Sequence, residues 1–377
     1  MDIPRILLVT NDYPPRIGGI QRTLHALMRE LPPEKSVIFA PSWEGAEVFD
    51  AAETYEVVRE PRTFVWPTRR VARRVDEVVR DTGAEVVLFG AIYPLAMLGP
   101  GIAKRGTQYL AAAHGFEYWL SLAPGTHGLM RFATSRASRV VVMCSASIAR
   151  VVRTAVSDRV PVSVMYPGAD VDRFHPDLPT EEIRERHGLT GRPLIVCVSR
   201  LVARKGQDVL IRAMPAIHRR VPDAALLIVG GGPHRETLER MAAEAPLGSV
   251  VFAGQVSEED LPMYYRAGEV FAMPCRNRLG GLEVEGWGNV FIEAAACGRP
   301  VVVGDSGGAR ESLVDGVTGI LVDGAKVAEV ADVVATLLSD PPLAEAMGRA
   351  GRARVEGYFT WPRAARELAA WLGEAVR

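Results

Sequence analysis

The 377-residue chain is poor in cysteine, in lysine and in long apolar runs. Its four cysteines stand singly without CxxC spacing, which favours buried thiols in a reducing compartment over a zinc or disulfide framework. No apolar run reaches the ~20 residues that a membrane-spanning helix needs, so we expect any membrane contact to be peripheral. The N-terminus lacks the apolar stretch of a signal peptide, and we therefore expect a cytoplasmic location.

The charge of the chain is nearly balanced, with a formal net charge of -1, which argues against a nucleic-acid partner. Of the 44 basic residues only Lys35, Lys104, Lys205 and Lys326 are lysines. A lysine that stands next to a glycine in a loop, as Lys205 does, therefore suggests a role for a flexible point charge. The composition, 48% hydrophobic and 24% charged, is typical of a soluble globular enzyme.

Short β-branched runs alternate with amphipathic helical segments in two series, which predicts an α/β fold of two doubly wound, Rossmann-like domains. The first series includes RILLVT, SVIFAP, EVVLFG, YLAAAHG and RVVVMCS. The second includes LIVCVSR, ALLIVGGG, VVFAGQV, VFAMPC and PVVVGDSGG. Because such sheets bind ligands at the carboxyl ends of their strands, we expect the site in a cleft between the domains.

A segment rich in proline, glycine and charge separates the two series near residues 166–193. We therefore predict an N-terminal domain at 1–180 and a C-terminal domain at 181–359. The last segment, 360–377, has the pattern of an amphipathic helix and is expected to cross back to the first domain through Trp361 and Trp371.

The stretch GLEVEGWGNVFIEAAACG (281–298) places two carboxylates around a glycine-rich helix start. The unpaired N–H groups of a helix N-terminus favour an anion, and Gly286 and Gly288 would let a phosphate approach the backbone. Glu293 would repel a phosphate, but it can accept hydrogen bonds from a ribose diol. Glu285 can hold the hydroxyls of a group beyond the phosphates. The alternative is a solvated loop acid and a helix-face acid.

The segment VSRLVARKG places two cations five residues apart, with Arg200 at the end of a predicted strand and Lys205 before a helix. Such a pair suits a diphosphate that departs with added negative charge, and a solvated charge run is the alternative. In the first domain Gly18-Gly19 opens a helix after the first strand, and Asp12 is either a loop cap or a hydroxyl acceptor. His114 ends a strand, where it is either a structural histidine or a residue that faces the ligand.

Together these residues resemble the retaining glycosyltransferases of family 4, which have the GT-B fold of two Rossmann-like domains. The resemblance covers the whole chain and rests on the E-x7-E element from Glu285 to Glu293, with SRLVARKG, IVGGGP, PGADVDRF and GGARESLVDGVTGILV. Within that family, TNDYPPRIGGIQ and MPCRNRLGGLEVEGWGNVFIEAAACG are most similar to actinobacterial enzymes that transfer mannose from GDP-mannose to a phosphatidylinositol mannoside.

The resemblance implies that the N-terminal domain, 1–180, binds the acceptor and that the C-terminal domain, 181–359, binds the nucleotide sugar. It also implies roles for individual residues. The catalytic residues would be His114, Arg200, Lys205 and Glu285. The residues that contact substrate would be Asp12, Gly18, Gly19, Gln21, Gly232, Gln255, Val256, Gly286, Gly288, Asn289, Val290 and Glu293. It further implies no metal and no cofactor, because the nucleotide sugar is a substrate. The DVD sequence at 170–172 suits a turn better than a metal site.

Three functions stay open at this point. The first is mannosyl transfer to a phosphoinositide lipid. The second is the same chemistry with another nucleotide sugar and a soluble acceptor, such as a cyclitol or a natural product. The third is a nucleotide-sugar epimerase or an inactive sugar-nucleotide-binding partner. An epimerase would need an acid or base at the sugar C2, and the sequence offers none in the cleft beyond His114.

Two basic segments with apolar neighbours predict peripheral contact with an anionic bilayer, on the inner face of the cell membrane. A solvated basic face is the alternative. The first segment carries Arg69, Arg70, Arg73 and Arg74 after Trp66. The second carries Met130, Arg131, Phe132, Arg136 and Arg139.

Overall fold

The computed structural model describes residues 3–16 and 18–377, and it forms two compact units. The first unit comprises Met1–Pro167 with Trp361–Arg377, and the second comprises Gly168–Thr360. The first part of the chain thus leaves the first unit at Pro167, earlier than the boundary of 180 expected from the sequence. The reason is local, because the backbone N–H of Ala169 donates to the carbonyl of Phe359 at 2.9 Å within the second unit.

The first unit is built on a seven-stranded sheet in the order β3-β2-β1-β4-β5-β6-β7, in which all strand pairs are parallel. Its strands are β1 Ile6–Val9, β2 Ser36–Pro41, β3 Glu56–Glu60, β4 Val86–Phe89, β5 Gln108–Ala113, β6 Arg139–Val142 and β7 Val162–Val164. The central strands are short apolar runs buried on both faces, as parallel sheets require. This confirms the predicted α/β class for the unit.

The second unit is built on a six-stranded parallel sheet in the order β10-β9-β8-β11-β12-β13. Its strands are β8 Leu194–Val198, β9 Ala225–Val229, β10 Val250–Gly254, β11 Val270–Met273, β12 Val301–Gly304 and β13 Gly319–Val322. The strand order reverses direction at β8, so the loops after β8 and β11 lie where a doubly wound sheet forms its ligand crevice.

Helices connect the strands in both units. The α-helices are α1 Gly19–Arg29, α2 Ala46–Ala51, α3 Arg69–Thr82, α4 Gly99–Lys104, α5 Gly115–Leu122, α6 His127–Thr134, α7 Ala146–Thr154, α8 Glu181–Arg186, α9 Gln207–Arg220, α10 Arg235–Ala242, α11 Leu261–Ala267, α12 Asn289–Ala296, α13 Val327–Ser339, α14 Pro341–Tyr358 and α15 Trp361–Val376. Single 3-10 turns lie at Pro33–Lys35, Leu95–Leu98, Pro124–Thr126, Ala203–Lys205, Leu279–Gly281 and Ala309–Ser312. In the described part of the chain, no helix has the length and apolar character to cross a membrane.

The C-terminal helix α15 belongs to the core of the first unit. Its buried residues Ala364, Ala365, Leu368 and Leu372 pack into the same apolar cluster as strands β1, β4 and β5, and Trp361 and Trp371 pack against that cluster. Trp371 also lies under the Arg139 guanidinium, 5.4 Å from ring centroid to Cζ. The amphipathic pattern of the last segment therefore reflects burial against the first unit.

Candidate active site

The loop after β8 carries Arg200, and two glycines of the neighbouring strand end hold it in place. A Cβ atom at Gly230 would lie 2.2 Å from the Ser199 carbonyl oxygen, and one at Gly232 would lie 2.4 Å from that of Leu201. Both glycines also have positive φ angles, of 129° and 159°. Only glycine fits such contacts. The predicted substrate residue Gly232 therefore packs against the backbone that presents Arg200, whose own side chain is exposed.

Lys205 and Glu285 form a buried ion pair. The ammonium Nζ lies 2.7 Å from the carboxylate Oε2, and both residues are less than one-tenth exposed. The two atoms meet as charges, without the angles of an aligned hydrogen bond. The Nε of Arg204 lies 3.7 Å from the same oxygen. The structure thus brings two of the predicted catalytic side chains together, in an arrangement where the lysine neutralises the glutamate.

The backbone of Glu285 is held by the loop that follows β12. Its N–H donates to Ser306 Oγ at 3.0 Å, and its carbonyl accepts from the Gly308 N–H at 2.8 Å. Ser306 Oγ in turn lies 2.7 Å from Asn277 Oδ1. Neither Ser306 nor Asn277 was predicted from the sequence. The signal that was present is the SGG sequence directly after a predicted strand, the position where ligand loops of such sheets lie.

Glu293, the second carboxylate of the E-x7-E element, lies in α12 and is half-buried. The buried Tyr265 hydroxyl donates to its Oε2 at 2.6 Å. Gly288 immediately before α12 has a φ of 84°, and a Cβ there would lie 2.6 Å from the Phe291 ring. Gly286, by contrast, has open space around its Cβ position. The backbone before α12 therefore requires glycine at position 288, whereas the space next to Gly286 is open.

The other residues predicted to contact the nucleotide sugar lie at the start of α12 and just after β10 in the second unit. Asn289 and Val290 are the first residues of α12, and both are half-buried. Gln255 follows β10, is exposed, and lies 3.0 Å from the Cβ position of Gly231. Val256 beside it is half-buried. Their contact with a nucleotide stays a prediction.

The first unit holds a pocket of about 330 Å³ at the carboxyl ends of β1, β4 and β5. It is lined by Asn11, Asp12, Ile20, Phe64, Trp66, Ala91, Tyr93, Pro94, Leu95, His114, Phe116 and Glu117. Asp12 Oδ1 accepts from Gln21 Nε2 at 2.8 Å, and Gln21 in turn fills the space where a Cβ at Gly18 would lie. The structure thus clusters Asp12, Gly18 and Gln21, with Gly19 as the first residue of α1.

His114 is buried, and its Nε2 lies 2.9 Å from the Gly90 carbonyl oxygen. Because a carbonyl only accepts, Nε2 carries the proton and Nδ1 is left as an acceptor. Burial is the main cause that lowers the His114 pKa, against the Gly90 hydrogen bond and the Asp12 charge, so the imidazole is neutral at pH 7. The histidine therefore combines a structural hydrogen bond with a place in the pocket wall.

Glu117 fixes the turn that follows His114. Its carboxylate accepts from the backbone N–H of His114 at 2.8 Å and of Ile92 at 3.0 Å. Burial raises the pKa of this carboxyl, and backbone hydrogen bonds oppose the rise. Glu117 thus ties the ends of β4 and β5 together beneath the pocket.

The second basic segment predicted to contact a bilayer is only partly exposed. In the second basic segment Met130 is buried in the core, and Arg139 pairs with Glu374 at 2.7 Å, so neither is available to a bilayer. Arg131, Phe132 and Arg136 are exposed.

In the DVD sequence, Asp170 Oδ1 accepts from the backbone N–H groups of Asp172 and Arg173, which makes it a turn cap. Residues 3–16 and 18–377 contain no group of three or more His, Cys, Asp or Glu side chains placed to bind a metal. All four cysteines are free and buried.

Two parallel-sheet Rossmann-like units, each with ligand loops at its strand ends, are the architecture of the GT-B fold. A UDP complex of HepE from Anabaena superposes with a TM-score of 0.81 at 20% identity, covering 98% of this chain and 100% of that chain. A glycosyltransferase from Rickettsia africae gives 0.83 at 17% identity, covering 99% of both. At these identities the likeness concerns the fold.

The family follows from the sequence matches. Residues 17–173 match the model described as Glycosyltransferase Family 4, and residues 179–354 match Glycosyl transferases group 1. A Mycolicibacterium smegmatis enzyme named GDP-mannose-dependent alpha-(1-6)-phosphatidylinositol monomannoside mannosyltransferase is 45% identical over 94% of this chain and 95% of its own length. A Mycobacterium tuberculosis enzyme of the same name is 43% identical over 98% of each. The chain belongs to glycosyltransferase family 4.

Proposed function

We propose that this chain transfers an α-mannosyl group from GDP-mannose to a hydroxyl of phosphatidylinositol monomannoside, with retention at the anomeric carbon. The proposal rests on sequence similarity: the chain is 43–45% identical, over at least 94% of its length, to two relatives that are named for this activity. The buried pair of Lys205 and Glu285 lies in the loops that follow β8 and β11 of the second unit.

The charge of each side chain indicates which part of GDP-mannose it would bind. Arg200, Lys205 and the start of α12 stabilise the diphosphate as negative charge builds on its oxygens. Glu293 accepts from the ribose hydroxyls, in an orientation set by the Tyr265 hydroxyl. Glu285 accepts from hydroxyls of the mannosyl group. No metal is required by this arrangement, because side-chain cations and backbone N–H groups supply the positive charge.

The reaction exchanges one bond at the anomeric carbon for another. The bond from that carbon to the phosphate oxygen breaks, and a bond to the acceptor oxygen forms on the same face of the sugar. The acceptor proton passes to the departing diphosphate, which leaves as GDP. Neither Glu285 nor Glu293 is assigned as a nucleophile, in contrast to the paired carboxylates of retaining glycosidases.

The acceptor half of the proposal places the lipid head group in the pocket of the first unit. Polar groups there come from Asp12 and from the neutral His114, both of which line the pocket. The rest of the wall is largely apolar, with Phe64, Trp66 and Phe116 between 38% and 55% exposed. Such a pocket suits an acceptor with a polar head and an apolar body. We further propose reversible contact with the inner face of an anionic membrane.

A panel of donors and acceptors tests the proposal. GDP-mannose, UDP-glucose and ADP-glucose are each incubated with vesicles that contain phosphatidylinositol monomannoside, with phosphatidylinositol vesicles, or with a soluble inositol phosphate. We expect transfer from GDP-mannose to the monomannoside vesicles at the highest rate, with an α-linked product by NMR. Transfer only to the soluble acceptor would support the second interpretation, and no transfer from any donor would refute both.

A further inference from the structure

The position of Glu285 depends on a hydrogen-bonded chain that runs through two other loops. The Glu285 N–H donates to Ser306 Oγ at 3.0 Å, and Ser306 Oγ lies 2.7 Å from Asn277 Oδ1. A hydroxyl has one proton, and an amide Oδ1 only accepts. The serine proton therefore points to Asn277, and its lone pair is left to receive the glutamate N–H.

The Ser306 loop is itself rigidly placed. Ser306 is 1% exposed, and the preceding backbone N–H, of Asp305, donates to Val322 O of β13 at 2.8 Å. Gly307 has a φ of 52°, and a Cβ there would lie 2.1 Å from the Glu285 carbonyl oxygen. The glycine thus brings the two loops into direct backbone contact, and the Gly308 N–H donates to that same oxygen.

The loop that carries Glu285 has little regular structure of its own. Between β11 and α12 it contains a single 3-10 turn, with Leu279 and Leu282 exposed. A carboxylate on such a loop is held only as well as its backbone is held. The bonds to Ser306 and Gly308 supply that support directly beneath the side chain that meets Lys205.

We propose that Ser306 and Asn277 are positioning residues for Glu285, and that they set how the enzyme distinguishes a nucleotide sugar from the bare nucleotide. The inference rests on the proposed function, in which Glu285 contacts the transferred sugar. Ser306 and Asn277 act through Glu285 and contact no substrate. Loss of either one shifts the glutamate and weakens interactions with the sugar, while the diphosphate contacts of Arg200 and the α12 start remain.

The test compares Ser306→Ala with the matched control Ser312→Ala. Ser312 is also buried and lies six positions further on, but its hydroxyl donates to the Ala309 carbonyl. We expect Ser306→Ala to lower kcat/KM for GDP-mannose about 10- to 100-fold, as a misplaced catalytic group does. We expect the Kd for GDP to rise no more than about twofold above wild type, and Ser312→Ala to match wild type in both measurements. Ser306→Thr, which keeps the hydroxyl, should recover most of the loss.

Asn277 provides a second variant that will fold, because its side chain is exposed. Asn277→Ala should also lower kcat/KM for GDP-mannose relative to the affinity for GDP, by a smaller factor than Ser306→Ala. In a double-mutant cycle, Ser306→Ala should add nothing once Glu285→Gln is present, because both act on one group.

Additive effects, an unchanged Ser306→Ala, or an equal loss of GDP and GDP-mannose binding would each overturn the inference. A wild-type chain that binds neither ligand would instead overturn the proposed function and, with it, this inference.

Discussion

At the residue scale, the ion pair between Lys205 and Glu285 brings two buried charges together. Removing one partner of a buried pair costs about 3 kcal/mol or more when the other charge is left unpaired, but here the Arg204 Nε, 3.7 Å from the same Glu285 oxygen, remains. Lys205→Met should therefore lower the free energy of unfolding by up to about 3 kcal/mol, measured by urea unfolding. It should also lower kcat by roughly 10²- to 10³-fold, because it removes a cation from the departing diphosphate.

The matched variant Glu285→Gln separates the contribution of the ion pair to stability from its contribution to catalysis. It keeps the shape of the side chain and leaves Lys205 free of a competing carboxylate, so GDP should bind several-fold more tightly than to wild type while sugar transfer falls. The double variant Lys205→Met/Glu285→Gln should regain part of the stability lost in Lys205→Met. Weaker GDP binding to Glu285→Gln would contradict the competition between carboxylate and diphosphate.

His114 gives a pH dependence of stability with a defined sign. Its pKa is lowered in the folded chain, so between the ordinary value of 6.5 and the folded value the unfolded chain binds a proton that the folded chain does not. The stability from the neutral imidazole is complete above pH 6.5 and is lost as the pH falls below it, by up to about 1.4 kcal/mol per pH unit. The slope of unfolding free energy between pH 5 and 7 should be reduced in His114→Gln. Equal slopes in the two proteins would contradict this.

At the element scale, the start of α12 depends on two glycines with different roles. Gly288→Ala forces an alanine to a φ of 84° and against the Phe291 ring, so we expect a loss of stability of at least about 1–2 kcal/mol in thermal or urea unfolding. Gly286→Ala meets nothing in this structure and should unfold like wild type. If a phosphate approaches the backbone at Gly286, that variant should still raise KM for GDP-mannose. Unchanged kinetics would place the phosphate elsewhere.

The elements that sequence reasoning found and missed differ in their exposure. Buried central strands such as β1 and β8 are continuous apolar runs, and their positions were predicted correctly. Strands β3, β7 and β13 were not predicted, because β3 carries three charged residues among five and β7 and β13 are only three and four residues long. In the site, residue type and spacing pointed to Lys205 and Glu285. Their pairing, and the support from Ser306, depend on contacts between loops far apart in sequence.

At the scale of the whole molecule, the end of the chain completes the core of the first unit. Leu368 of α15 is fully buried there, so Leu368→Ala should destabilise that unit by about 2–5 kcal/mol. Hydrogen exchange read out by mass spectrometry should show faster exchange in β1, β4 and β5, with the second unit unchanged. The exposed neighbour Arg366 provides the control, and Arg366→Ala should exchange like wild type. Equal acceleration in both units would contradict this assignment.

The proposed membrane contact depends on which arginines of α3 remain available to lipid. All four are exposed, but Arg70 pairs with Glu60 at 2.9 Å and Arg74 with Glu77 at 3.3 Å. Arg69 and Arg73 should therefore contribute most, at about 1 kcal/mol each near an anionic surface.

Arg69→Gln/Arg73→Gln should thus weaken sedimentation with phosphatidylinositol vesicles about 10- to 30-fold, and Arg70→Gln/Arg74→Gln should weaken it less. A pair of exposed arginines in the second unit, Arg219 and Arg240, gives a control with the same change in net charge. Because screening acts on exposed charges, the wild-type affinity should also fall as salt rises from 0.05 to about 0.15 M. An equal loss from all three double variants would mean that net charge, and no particular face of α3, attracts the chain to the bilayer.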